Sequence, residues 1–163
     1  MPATAPADGV RLRERRVALR LPDEDAFAAL EGHRPGRLGL THSTRHTRNG
    51  KTERVEIDFV AIVGGLPRML FETVAAHELG HVWLIQHGIS GLPQHHEEGF
   101  CELLAYRHLL AAGGAEADVY ARAIAANPDP IYGGGYRALA ALTANVGFAA
   151  VVQSLRSKRR LPV

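Results

Sequence analysis

The chain has 163 residues, 46% hydrophobic and 22% charged, which places it among folded globular domains and excludes disordered or fibrous classes. A net charge of +2 gives no electrostatic case for nucleic acid, and the pI near 9.0 reflects a slight excess of arginine rather than one dense patch. Cys101 is the only cysteine, so no intrachain disulfide can form, and no run reaches the roughly 18–20 apolar residues of a spanning helix. A cytoplasmic protein without nucleic-acid or membrane partners is therefore expected.

Residues 1–9 are rich in Pro and Ala and lack the positive start and apolar core of a signal peptide. They read as a disordered tail ahead of one domain, 10–163. Residues 10–21 alternate in part and read as a strand. Asp23 to Leu30 suit a short helix after Pro22, and Gly32 to Gly39, with His33 and Pro35, a turn region. Strands over 38–46 and 52–63 are joined by Asn49-Gly50, a strong hairpin signal. Gly64-Gly65 end the second strand. Pro67 suits the first turn of a helix of about 20 residues, and Gly88 suits its C-terminal end. A second long helix is expected from Gln94 to Ala112, before Gly113-Gly114. A third runs from Glu116 to Asn127, stopped by Pro128 and Pro130. After I-Y-G-G-G-Y, one or two helices reach about Ser157. Strands first and helices afterwards make the class α+β.

The first long helix carries A-A-H-E-L-G-H-V-W-L. Leu70, Val74, His77, His81 and Ile85 follow steps of three or four and share a face, which is expected to be the core side. Two unpaired imidazoles there would cost roughly 1–3 kcal/mol each. A metal ion resolves this, because histidines four apart lie one turn apart and can aim two ring nitrogens at one ion. Glu78 lies about 100° around the helix from His77 and can reach a water on the metal without being a ligand. Val82, Trp83 and Leu84 read as packing.

An open catalytic zinc site takes three protein ligands. The third is expected within H-H-E-E-G-F-C-E-L-L-A-Y, residues 95–106. Glu98 and Glu102 share one helix face, and Glu97 shares its face with Cys101. A Glu before Gly at a helix start, downstream of H-E-x-x-H, resembles the third-ligand segment of gluzincin metallopeptidases. That resemblance selects Glu98 and leaves Glu102 to orient a ligand histidine. His95 and His96 read as exposed loop residues, His87 as a helix-end cap, and Cys101 as a small buried thiol. His33, His42, His46 and His108 show no ligand spacing.

Three motifs in order, G-L-P-R-M-L-F-E-T-V-A-A-H-E-L-G-H-V-W-L, E-E-G-F-C-E-L-L-A-Y and I-Y-G-G-G-Y-R-A-L, resemble the DA1-type peptidase domain, over about Val60 to Leu155. In plants that domain ends ubiquitin-activated growth regulators. The resemblance implies a zincin-like, gluzincin-type peptidase with a small N-terminal β-sheet, an active-site helix and a helical bundle. It implies one zinc per chain on His77, His81 and Glu98, with Glu78 as general base. Leu79 and Gly80 stand where the family motif carries two bulky Met residues. Nothing in the sequence resembles the family's ubiquitin-interacting or LIM segments, so a stand-alone domain without ubiquitin dependence is expected.

The expected activity is hydrolysis of a protein or peptide substrate through a Glu78-activated water on the zinc. Tyr132 or Tyr136 is expected to donate to the oxyanion, Tyr132 being the choice, with glycines admitting the backbone to the cleft. Packed tyrosines at a helix entry are the plain reading of the same stretch. Arg137 is either a surface ion pair or a substrate-carboxylate ligand. A free edge on strand 55–63 is expected to hold an extended peptide, giving endopeptidase cleavage. The alternatives are a non-catalytic, zinc-stabilised binding module with a closed four-ligand site, and a regulatory protease.

Overall fold

The computed structural model describes residues 9–14, 16–32 and 36–162. All but the last residue of the expected tail, and His33 and Pro35 of the turn region, lie outside the described residues. The elements are β1 (Leu19–Arg20), α1 (Glu24–Glu31), β2 (Gly39–Arg48), β3 (Lys51–Ile62), α2 (Arg68–Gln86), α3 (Gln94–Ala112), α4 (Ala115–Ala126), α5 (Tyr132–Val146) and α6 (Phe148–Lys158). The class is α+β, with a three-stranded sheet followed by helices.

Local chemistry accounts for the hairpin. Asn49 (φ 50°) and Gly50 (φ 74°) both take the left-handed backbone that a tight two-residue hairpin turn requires, and Arg48 pairs with Lys51 across it. The expected strand over 10–21 shrinks to Leu19–Arg20, which pairs in parallel with Val60–Ala61. That pairing covers the expected substrate edge of strand 55–63 at Val60 and Ala61. The sheet order is β1-β3-β2, so β3 is central, and the open edge beside α2 belongs to β2. Phe59–Ile62 are buried, and a buried strand needs its backbone groups paired on both sides.

α2 lies between the sheet and the helices. Val82 packs on Val60 and Ile62 of β3, while Trp83 and Leu84 enter the helical core with Phe100, Leu139, Val151 and Leu155. The stripe of Leu70, Val74, His77, His81 and Ile85 is only half-buried, and its fully buried neighbours lie on the other faces. Within the stripe Val74 packs on the Val60–Ile62–Val82 cluster, the His77 and His81 side chains are 12% and 13% exposed, and Leu70, Val74 and His77 also border the cleft, so the stripe lies at the edge of the core rather than in its centre. α2 ends at His87, whose Nδ1 lies 2.8 Å from the Trp83 carbonyl oxygen, and at Gly88 (φ 65°).

α3 carries α2 on one side and α4 and α5 on others. The I-Y-G-G-G-Y stretch is helical rather than a turn from Tyr132 onward, and Gly135 admits α3 while Gly133 admits the Asn127 backbone. A Cβ on Gly135 would collide with the His95 carbonyl oxygen, and one on Gly99 with the Gly135 carbonyl. Gly135→Ala is therefore expected to destabilise the protein by at least about 1–3 kcal/mol, read from urea unfolding. Gly147 (φ 89°) breaks α5 from α6, which diverge by 104°. Among the described residues no single helix is long and apolar enough to cross a membrane.

Candidate metal centre and cleft

His77 and His81 sit one turn apart on α2, with ring centroids 5.1 Å apart. The first turns of α3 bring Glu97, Glu98, Cys101 and Glu102 against them, and Gly80 makes this approach possible. A Cβ there would stand 2.8 Å from Cys101 Sγ, so a bulky residue at position 80 is not accommodated at this contact without a shift.

One oxygen decides what the cluster fits. Glu98 Oε2 lies 3.2 Å from His77 Nε2 and 3.3 Å from His81 Nε2, buried and without a hydrogen-bond partner. Donors of a tetrahedral zinc site with bonds of about 2.0–2.1 Å stand about 3.3–3.4 Å apart. The imidazole Nδ1 atoms face other carboxylates. His77 Nδ1 is 2.8 Å from Glu102 Oε1, and His81 Nδ1 is 3.3 Å from Glu97 Oε1. Each ring can donate Nδ1–H outward and turn Nε2 inward, as metal-binding histidines commonly do. Glu102→Gln is expected to weaken metal affinity about 10–100-fold, measured by competition with a chromophoric chelator.

The electrostatics ask for a cation. Burial opposes charge on His77, but the Glu102 and Glu98 carboxylates beside its two nitrogens outweigh it and push its pKa up to about 10. Burial likewise opposes charge on His81, where Cys101, Glu97 and Glu98 together raise its pKa well above the ordinary range. Burial raises the Glu98 pKa, but the two imidazoles beside Oε2 hold it far below the usual carboxylate range. Such a site is neutralised by protons on the imidazoles or by a metal ion.

Cys101 is the residue whose place differs most from its plain reading. It is fully buried, as expected, but donor atoms of His77, His81 and Cys101 all lie within 4.8 Å of one another, a group that could hold a metal ion.

Glu78, 5% exposed, points to the sheet side of α2. Thr41 Oγ1 of β2 donates to its Oε2 at 2.7 Å. Gly39 leaves room for the carboxylate, since a Cβ there would stand 2.6 Å from Glu78 Oε1. A cleft of about 560 Å³ opens beside His77 and Glu78, walled by Leu70, Val74, Tyr120 and Ile124. Tyr132 also lines it, its ring 6.3 Å from that of His77. Asp129 Oδ1 fixes this position by accepting from the Ile131 and Tyr132 backbone N–H groups at 2.8 and 2.9 Å. Tyr136 is elsewhere, 6% exposed, its ring 4.9 Å from that of Tyr106.

The remaining sequence candidates lie outside this centre. Arg137 does neither thing expected of it, because it donates to the Ala125 and Asn127 carbonyl oxygens at the end of α4. The His95 and His96 rings lie against each other tilted by 55°, His42 and His46 pair with Asp58 and Glu56 on the sheet, and His108 pairs with Glu72. Sequence reasoning missed Thr41, Gly39 and Arg37. The first two lie in a strand whose register against α2 no local pattern reveals, and Arg37 had no signal at all.

The model of the DA1-like family, described as Protein DA1, matches residues 33–123. Protein DA1 of Arabidopsis thaliana is 26% identical over 140 residues, covering 69% of this chain and 26% of the relative. Protein DA1-related 2 of the same plant is 27% identical over 146 residues, covering 69% and 28%. The LIM domain-containing protein HDR3 of Oryza sativa subsp. japonica is 40% identical over 55 residues, covering 34% and 11%. The chain thus spans about a quarter of the length of the first two relatives. No solved structure matches it.

Proposed function

The chain belongs to the DA1-like family, and from that premise we propose that it is a zinc-dependent metallopeptidase of zincin-like fold that cleaves protein or peptide substrates internally. The observation that carries this reading is the buried, unpartnered Glu98 Oε2 facing two imidazole nitrogens at tetrahedral spacing. His77, His81 and Glu98 hold the ion, one per chain. When bound, zinc would polarise a peptide carbonyl and lower the pKa of the attacking water toward ~7.

The chain's own residues do the rest. Glu102 and Glu97 orient the two rings. Glu78 takes a proton from the attacking water as its oxygen adds to the scissile carbonyl carbon. It then gives that proton to the leaving nitrogen as the C–N bond breaks, releasing an amine and a carboxylic acid whose remaining water proton is lost to solvent. Thr41 fixes the Glu78 rotamer. Tyr132 donates its phenol proton to the developing oxyanion. The open edge of β2, which starts at Gly39 beside Glu78, receives the extended substrate by strand addition.

A second reading has an observation of its own. With Cys101 Sγ near both histidines, a closed His77-His81-Glu98-Cys101 site would be structural, and the protein a zinc-stabilised binding module. Cobalt substitution separates the two. The peptidase reading expects a cobalt spectrum without thiolate-to-metal charge transfer, and cleavage of denatured casein by the zinc-loaded chain that a chelator stops. Strong charge transfer that Cys101→Ser abolishes, with no cleavage, would favour the binding module.

A further inference from the structure

Arg37 is half-buried in the cleft and carries three contacts that the chemistry above leaves unused. Its Nη1 lies 3.0 Å from Glu31 Oε1, its Nη2 donates to the Tyr132 hydroxyl at 3.2 Å, and Nη2 stands 3.9 Å from Glu98 Oε1. Glu31, the last residue of α1, has a side chain only 1% exposed, and its other oxygen, Oε2, is buried without a partner. A carboxylate buried that deeply is costly unless a charge answers it. Arg37 supplies the charge, and its rigid fork uses the other arm on Tyr132.

We propose that Arg37, anchored by Glu31, is the positioning residue that sets Tyr132 for the reaction. The logic is one of donors and acceptors. A guanidinium has only donors, so the Tyr132 oxygen must accept from it, and the phenol proton is turned to another acceptor. The side of Tyr132 that Arg37 leaves open is the cleft beside His77. The adjacent cation also makes that proton a stronger hydrogen-bond donor. The first helix of the chain, outside every recognisable motif, thereby completes the site through Glu31 and Arg37. Tyr132 in turn is held from below by Asp129 and by the seating of α5 on Gly99.

This inference rests on the peptidase reading for its kinetic consequence and on geometry alone for the Arg37–Tyr132 pair, so the test has two arms. In the first, the zinc-loaded enzyme is assayed on casein and on a peptide it cuts. Tyr132→Phe is expected to lower kcat about 10²–10³-fold. Arg37→Gln is expected to lower kcat about tenfold or more with KM and zinc content unchanged, and Arg37→Lys to recover part of it. The double variant is expected to be no slower than Tyr132→Phe, because a positioning residue has nothing left to position. Effects that multiply would overturn the proposal.

The second arm needs no activity. Metal-free protein labelled at tyrosine Cζ gives four carbon signals, one per tyrosine, with that of Tyr132 identified by its loss in Tyr132→Phe. Arg37→Lys and Arg37→Gln are expected to move the Tyr132 signal and leave the other three. An unmoved Tyr132 signal in folded Arg37→Lys protein refutes the pairing whether or not the chain is a peptidase. Absence of cleavage by the wild type, with the Tyr132 signal still moved, would count against the peptidase reading and support the pairing.

Discussion

Glu98→Ala is expected to bring the zinc content of the purified protein from about one per chain to well below it. Removing Glu98 leaves two imidazoles and no charged ligand. Apparent binding energies of structural zinc sites, about 10–16 kcal/mol over four ligands, put each ligand at roughly 3 kcal/mol, a factor of a hundred or more in affinity. The fold is expected to survive, because α3 seats on α5 through the Gly99–Gly135 contact, in which the Glu98 side chain takes no part. Elemental mass spectrometry after dialysis against a weak chelator reads the result directly. Zinc retained by Glu98→Ala and lost by Cys101→Ser would move the third ligand to the thiol. Wild-type protein that neither holds nor takes up zinc would remove the metal centre altogether.

Glu78→Gln tests the chemistry separately from the metal. The amide is nearly isosteric, and its carbonyl oxygen can still accept from Thr41 Oγ1, so zinc content and melting temperature are expected to stay at wild-type values. What is lost is the proton acceptor. General-base catalysis is worth about 10²–10⁴-fold, so kcat on a cleaved peptide is expected to drop by that factor, about 3–5 kcal/mol of transition-state stabilisation, with KM little changed. Wild-type turnover by this variant would show that Glu78 is not the base. Equal loss of zinc and activity would show instead that Glu78 supports the metal site, and the kinetic result would then carry no information on proton transfer.

The sequence by itself determined the elements that local chemistry controls. The Asn49-Gly50 turn, the span from Pro67 to Gly88, and the helix from Gln94 to Ala112 each carry their own start and stop signals, and the structure places them within a residue or two of expectation. The pairing of His77 with His81 was legible for the same reason, since four residues make one helical turn whatever surrounds it. Glu78 was legible as a neighbour of the histidines, but not its grip by Thr41.

What only the tertiary structure decided is everything set by one element docking on another. Glu97, Glu98 and Glu102 differ in sequence by a few positions on one helix. Their division into one oxygen facing both Nε2 atoms and two facing Nδ1 atoms comes from the rotation of α3 against α2 about the Gly80–Cys101 contact. Tyr132 and Tyr136 stand one turn apart on α5, and the seating of α5 on Gly99 turns one to the cleft and the other to Tyr106. The C-terminal end of β3 lost its free edge because a two-residue strand far upstream pairs with Val60 and Ala61, which leaves β2 as the open edge there. Arg37 enters the site through a buried partner in α1, 6 residues before it, and a phenol 95 residues after it. Periodicity and capping act within about four residues, whereas docking depends on the shapes of two whole surfaces, and no local pattern in the chain encodes that match.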